Sequence, residues 1–213
     1  MKKNTTELVF ILDRSGSMSG LEADTVGGYN SMLEKQKKSG GDVIVTTVLF
    51  DSEVETLHDR IDLKKLEPIT EKEYFVRGCT ALLDAVGSTI NRISALQKAD
   101  KANMPEKTLF VITTDGMENS SHEYNYSKVK KMIEKKKKKG WEFLFLGANI
   151  DAVEVAGRFG IGANRAVKYK SDSAGTKLNY DVLAKAVCTF RESKAPLADS
   201  WKEEIEADCE ARS

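Results

Sequence analysis

Apolar residues gather in five short, almost unbroken runs at positions 8–12, 43–50, 108–114, 143–147 and 166–169. Continuous rather than alternating apolarity is what a strand buried on both faces of a sheet requires. Between the runs the spacing changes to threes and fours. Leu82, Val86, Ile90, Ile93 and Leu96 give the clearest helical face, and Leu21, Val26, Tyr29, Met32 and Leu33 mark an earlier one. Val129, Met132 and Ile133 predict a third helix, and Val153 with Ala156 a short fourth. Strands alternating with helices predict a parallel sheet wound by right-handed crossovers, with helices on both faces.

One segment breaks the alternation. Asp51 and Ser52 directly follow the second run and lead into Val54-Glu55-Thr56-Leu57. That pattern reads as a tight hairpin adding one antiparallel edge strand. The expected fold class is therefore α/β, doubly wound and mostly parallel, with an antiparallel edge. Residues 1–171 carry this pattern. Residues 172–213 read as a helical extension with Tyr180, Leu183, Ala184, Val187 and Phe190 on its apolar face. Pro196 interrupts it, and the stretch beyond Pro196 reads as more dispensable despite Trp201 and Ile205.

Composition narrows the function classes. The chain has 213 residues, enough for one domain with a sizeable core, and its 33 basic residues balance 33 acidic ones. No global field selects nucleic acid or an anionic membrane. The apolar run at 8–12 stops at Asp13 and is too short for a signal-peptide core or a membrane span. Three cysteines without C-x-x-C spacing speak against a disulfide framework or a zinc knuckle. A cytoplasmic location is the expectation that follows. The lysine run at 135–139 ends at Gly140 and reads as a solvated helix end, with few aromatics interleaved to recommend nucleic acid.

The chemistry concentrates in three loops at strand ends or helix starts. The first run enters Asp13-Arg14-Ser15-Gly16-Ser17, one carboxylate and two hydroxyls within five residues, with Gly16 expected to permit a sharp turn. The run at 108–114 ends in Asp115-Gly116 and brings a second carboxylate to the same face. Arg77-Gly78-Cys79-Thr80 precedes the clearest helix and offers the Thr80 hydroxyl. In a parallel α/β sheet the loops at the carboxyl ends of strands form the binding face. Two carboxylates and three hydroxyls are hard oxygen ligands suited to Mg²⁺ or Mn²⁺, and poorly suited to Zn²⁺.

Asp13-x-Ser15-x-Ser17 after a buried strand, Thr80 some 60 residues later, and Asp115 in a Thr-Asp-Gly turn together resemble the metal-ion-dependent adhesion site of von Willebrand factor type A domains. The resemblance spans roughly residues 6–170 and extends to small cytoplasmic prokaryotic proteins of that type. It implies that Ser15, Ser17 and Thr80 bind an ion directly, with Asp13 and Asp115 binding directly or through water. It also implies a module that captures an Asp or Glu of a protein partner through Mg²⁺. Cys79 stands where many members of that family have a small residue such as Gly. Arg14, Met18, Arg77, Glu118, Asn119 and His122 lie on the same loops and are expected to line the rim. The competing reading is a metal-dependent hydrolase of phosphorylated or acidic substrates. It lacks a Walker-type loop, a Gly-x-Ser-x-Gly elbow and a histidine beside a serine nucleophile.

Overall fold

The computed structural model describes the backbone of residues 2–212 and the side chains of residues 4–212. Six strands form one sheet: β1 (Lys2–Asp13), β2 (Asp42–Phe50), β3 (Val54–Asp62), β4 (Pro105–Thr114), β5 (Trp141–Ala148) and β6 (Ala166–Tyr169). Their order is β3-β2-β1-β4-β5-β6, parallel throughout except for the antiparallel β2–β3 hairpin at one edge. The α/β class, the parallel sheet and its antiparallel edge all match the expectation. The hairpin's second strand runs five residues beyond Leu57, because polar side chains are tolerated on an exposed edge.

Six helices are α1 (Glu22–Lys38), α2 (Leu82–Ala99), α3 (Tyr126–Lys137), α4 (Ala152–Arg158), α5 (Ser173–Glu192) and α6 (Glu203–Ala211). The two-residue alternation of a strand sorts side chains into two cores. Leu8, Phe10 and Leu12 of β1 pack with Tyr29 and Leu33 of α1 and with Leu183 and Val187 of α5. Val9 and Ile11 pack with Val86, Ile90 and Ile93 of α2 and with Ile133 of α3. Because both strand faces are covered, the central strands can be apolar without interruption.

The segment after Pro196 differs from its sequence reading. Leu197 and Ile205 are buried in the α1/α5 core and Trp201 packs against it. Trp201 Nε1 donates to the Asn164 carbonyl at 2.9 Å, and Arg165 pairs with Asp199 at 2.9 Å. The acidic composition of residues 203–210 hid one fully inward position, Ile205. Among the described residues no helix is long and apolar enough to cross a membrane.

Candidate metal centre

Register brings the first two loops together. β1 runs parallel to β4 with Leu12 opposite Thr113, so Asp13 and the Thr114-Asp115 turn leave the sheet side by side. The Asp13 carboxylate organises its own loop: Oδ1 accepts from the Ser15 amide at 2.7 Å, and Oδ2 accepts from Thr114 Oγ1 at 2.5 Å. A single 3-10 turn at Gly16–Met18 then returns Ser17 toward the strand end. Gly16 has no left-handed φ, so the turn owes its shape to the Asp13 side chain rather than to glycine freedom. Gly78 does take a left-handed φ (67°), and a Cβ there would stand 2.7 Å from Ser52 Oγ. It sets the path of the third loop, whose Gly78 carbonyl accepts from the Gly16 amide at 3.1 Å.

The structure brings all five sequence-derived residues into one hydrogen-bonded cluster. Ser15 Oγ lies 3.2 Å from Ser17 Oγ, Thr80 Oγ1 donates to Ser15 Oγ at 3.0 Å, and Ser17 Oγ donates to Asp115 Oδ1 at 2.5 Å. Asp13, Ser15, Thr80 and Asp115 are buried, and Ser17 is exposed. A Cβ placed on Gly116 would lie 3.0 Å from Thr80 Oγ1, 3.1 Å from Ser17 Oγ and 3.7 Å from Ser15 Oγ. Three hydroxyls thus surround a space that only glycine leaves open. Asp115 Oδ2 is buried with no hydrogen-bond partner.

The electrostatics favour a cation here. Burial pushes the Asp13 carboxyl up to about 6, against the opposing hydrogen bonds from Ser15 and Thr114, and Asp115 adds to the rise. Burial also raises Asp115, and the hydrogen bond from Ser17 opposes the rise. Among the described residues no ion pair offsets either carboxylate, since Arg14 and Arg77 are committed to Asp51, Glu53 and Glu55. Among the described residues no group of three or more His, Cys, Asp or Glu side chains could hold a metal. This cluster has only two carboxylates, and hydroxyls supply the rest of its donors. Such a set fits Mg²⁺ or Mn²⁺ by chemistry.

The rim differs from the sequence expectation. Arg14 and Met18 are buried, at 0% and 2% exposure, and cannot meet a partner. Arg77 is exposed but tied to Asp51 at 2.8 Å. The Glu118 carboxylate accepts from the Leu83, Ser120 and Ser121 amides and so caps the start of α2. Asn119 Oδ1 accepts from the Thr80 amide at 2.8 Å, and the Asn119 amide donates back to the Thr80 carbonyl. His122 is exposed as expected. Sequence reading missed Thr114 and Tyr74 (whose hydroxyl donates to the Asp13 carbonyl at 2.5 Å), and it placed Asn119 on the rim rather than against Thr80. Their role is to hold the donors, and only Thr114, beside Asp115, carried a local signal.

No protein-family model and no curated protein matches the sequence. Solved structures do match the fold. The von Willebrand factor type A protein from Catenulispora acidiphila aligns with a TM-score of 0.57 at 13% identity, covering 86% of this chain and 42% of that one. Proximal thread matrix protein 1 from the mussel byssus, solved with a zinc-occupied MIDAS motif, aligns with a TM-score of 0.57 at 13% identity, covering 86% of this chain and 46% of that one. The manganese-loaded TRAP protein of Plasmodium vivax gives 0.51 at 19% identity, covering 95% and 71%. This chain therefore spans less than half the length of two of these structures. The architecture is a von Willebrand factor type A fold.

Proposed function

We propose that Asp13, Ser15, Ser17, Thr80 and Asp115 hold a divalent cation, Mg²⁺ or Mn²⁺, and that the bound ion captures an Asp or Glu side chain of a partner protein in the cytoplasm. The observation that carries this reading is the space beside Gly116, ringed by three hydroxyls and adjoining the unpartnered Asp115 Oδ2. The fold neighbours, one with a zinc-occupied MIDAS motif and one manganese-loaded, support it at the level of the fold.

The chemistry of the donors explains the choice of ligand. Hydroxyls are neutral donors, and with a carboxylate acting through water rather than directly the ion would keep positive charge for an anionic oxygen. Ser17, the exposed member of the set, marks the side from which a partner's carboxylate would arrive. The protein's own work is positional. Thr114 and the Ser15 amide fix Asp13, Asn119 fixes Thr80, and Tyr74 anchors the Asp13 backbone.

The test is affinity capture on the immobilised protein in Mg²⁺, repeated in chelator and on Thr80→Ala. A partner held only by the wild type in Mg²⁺, and lost when one of its acidic residues becomes Ala, is the expected result. Equal capture in chelator contradicts the reading.

A further inference from the structure

A second feature lies at the opposite end of the sheet, where the parallel strands begin. The C-terminal ends of α2 and α3 and the starts of β4 and β5 enclose a cleft of about 530 Å³. That falls within the roughly 300–1,000 Å³ typical of sites for small organic ligands. Lys98, Lys101, Lys136 and Lys139 line it, with Trp141 and Met104 among its apolar members. A shallower depression along the same two helices adds Lys135.

Lysines at helix C-termini ordinarily serve to offset the macrodipole. Two helix ends supply roughly one negative charge between them. Glu106 adds a full one, although its carboxylate is already engaged by the Asn4 amide at 2.8 Å. Four ammonium groups exceed this by about two charges. None of the four pairs with a carboxylate among the described residues. Lys136 instead rests 4.4 Å from the centroid of the Trp141 ring. Burial lowers the Lys136 pKa, and Lys139 and Lys135 lower it further. The cleft concentrates positive charge beyond what the helices need, with Met104, Pro105 and Trp141 as its apolar members.

We propose that this cleft binds a small organic phosphate of nucleotide size, its phosphates met by Lys98, Lys101, Lys136 and Lys139 and its apolar body by Met104 and the cleft wall at Trp141. Lysine serves phosphate as a mobile point charge, which suits a shallow cleft lined by long side chains. The site is separate from the Asp13 cluster and does not depend on it.

The probe is ADP, titrated calorimetrically into the full chain with chelator present so that no divalent ion bridges the phosphates to the Asp13 cluster. Saturable one-to-one binding is expected. It should weaken at least tenfold in Lys98→Gln/Lys136→Gln and persist in Asp13→Ala and in Lys131→Gln, whose ammonium lies outside the cleft lining. Near-ultraviolet circular dichroism confirms that each variant is folded. No saturable heat from ADP overturns the proposal, as does equal affinity in the double variant. Pyrophosphate binding as tightly as ADP would remove the role of the apolar wall and also overturn it. A single-stranded oligonucleotide binding far more tightly, with steep salt dependence, would replace the small-ligand site by a nucleic-acid surface.

Discussion

Arg14 Nε lies 2.8 Å from Asp51 Oδ2, with both side chains almost wholly withdrawn from solvent. This contact pins the backbone between Asp13 and Ser15 to the β2–β3 turn. Arg77 reaches the same Asp51 oxygen at 2.8 Å from the Thr80 loop. One carboxylate therefore ties two of the three candidate metal loops together. Removing it leaves a buried guanidinium with the half-exposed Glu55 carboxylate and a long 3.4 Å hydrogen bond to the Glu73 carbonyl. Asp51→Ala should cost about 3 kcal/mol or more in urea unfolding, the scale of a broken buried pair.

The same residue predicts an acid response. Burial pushes the Asp51 carboxyl up, but hydrogen bonds from Arg77, the Glu53 amide and Arg14 outweigh it, and the net shift is below the ordinary 3.8. A carboxylate held below its unfolded value stabilises the fold above that value, and the contribution is lost as pH falls through the lowered native one. Thermal stability should fall below roughly pH 4, and Asp51→Asn should flatten that part of the profile.

Two adjacent glycines of α1 should respond oppositely to Ala. In a helix interior Gly→Ala gains up to about 1 kcal/mol. Gly27 has open space around its missing Cβ, so Gly27→Ala should be stabilising. At Gly28 a Cβ would stand 2.4 Å from Tyr180 Cδ2 of α5, both helices being held by the same core. Overpacking of this kind costs about 1–3 kcal/mol, so Gly28→Ala should lower the melting temperature.

Much of this architecture was legible in the sequence. Continuous apolar runs gave five parallel strands, and Asp51-Ser52 gave the antiparallel edge. The five cluster residues were identifiable because each ends a strand or precedes a helix. What escaped notice depends on direction rather than identity. Arg14 sits between two site residues and reads as a rim cation, but only the fold reveals Asp51, 37 residues away, as its destination. Gly16 reads as the hinge of its loop, although the Asp13 side chain shapes that turn and Gly78 takes the left-handed φ. Glu118 and Asn119 read as polar rim and are turned inward to backbone amides.

The C-terminal segment offers a further check. Ile205 is 1% exposed and Leu197 4%, both in the α1/α5 core. Ending the chain at Ser193 should therefore destabilise it. Ile205→Ala alone should cost about 2–5 kcal/mol, a range set by how far the cavity collapses. Chemical denaturation of both variants measures this.

Gly116→Ala isolates the site from the fold. Its Cβ would press on Thr80 Oγ1 and Ser17 Oγ, and Gly116 has no left-handed φ to strain. Stability without metal should stay within about 1 kcal/mol of wild type. Any rise in melting temperature on adding Mg²⁺, which linkage requires of a ligand selective for the folded state, should be lost.

The Asp13 cluster should bind a divalent cation, and isothermal titration with Mg²⁺ and Mn²⁺ measures this. Wild-type protein should show one saturable site per chain, and Asp115→Ala, which removes the unpartnered oxygen, should show none while remaining folded. Absence of binding to the wild type, or undiminished binding to Asp115→Ala, would mean that these five residues do not form a metal site.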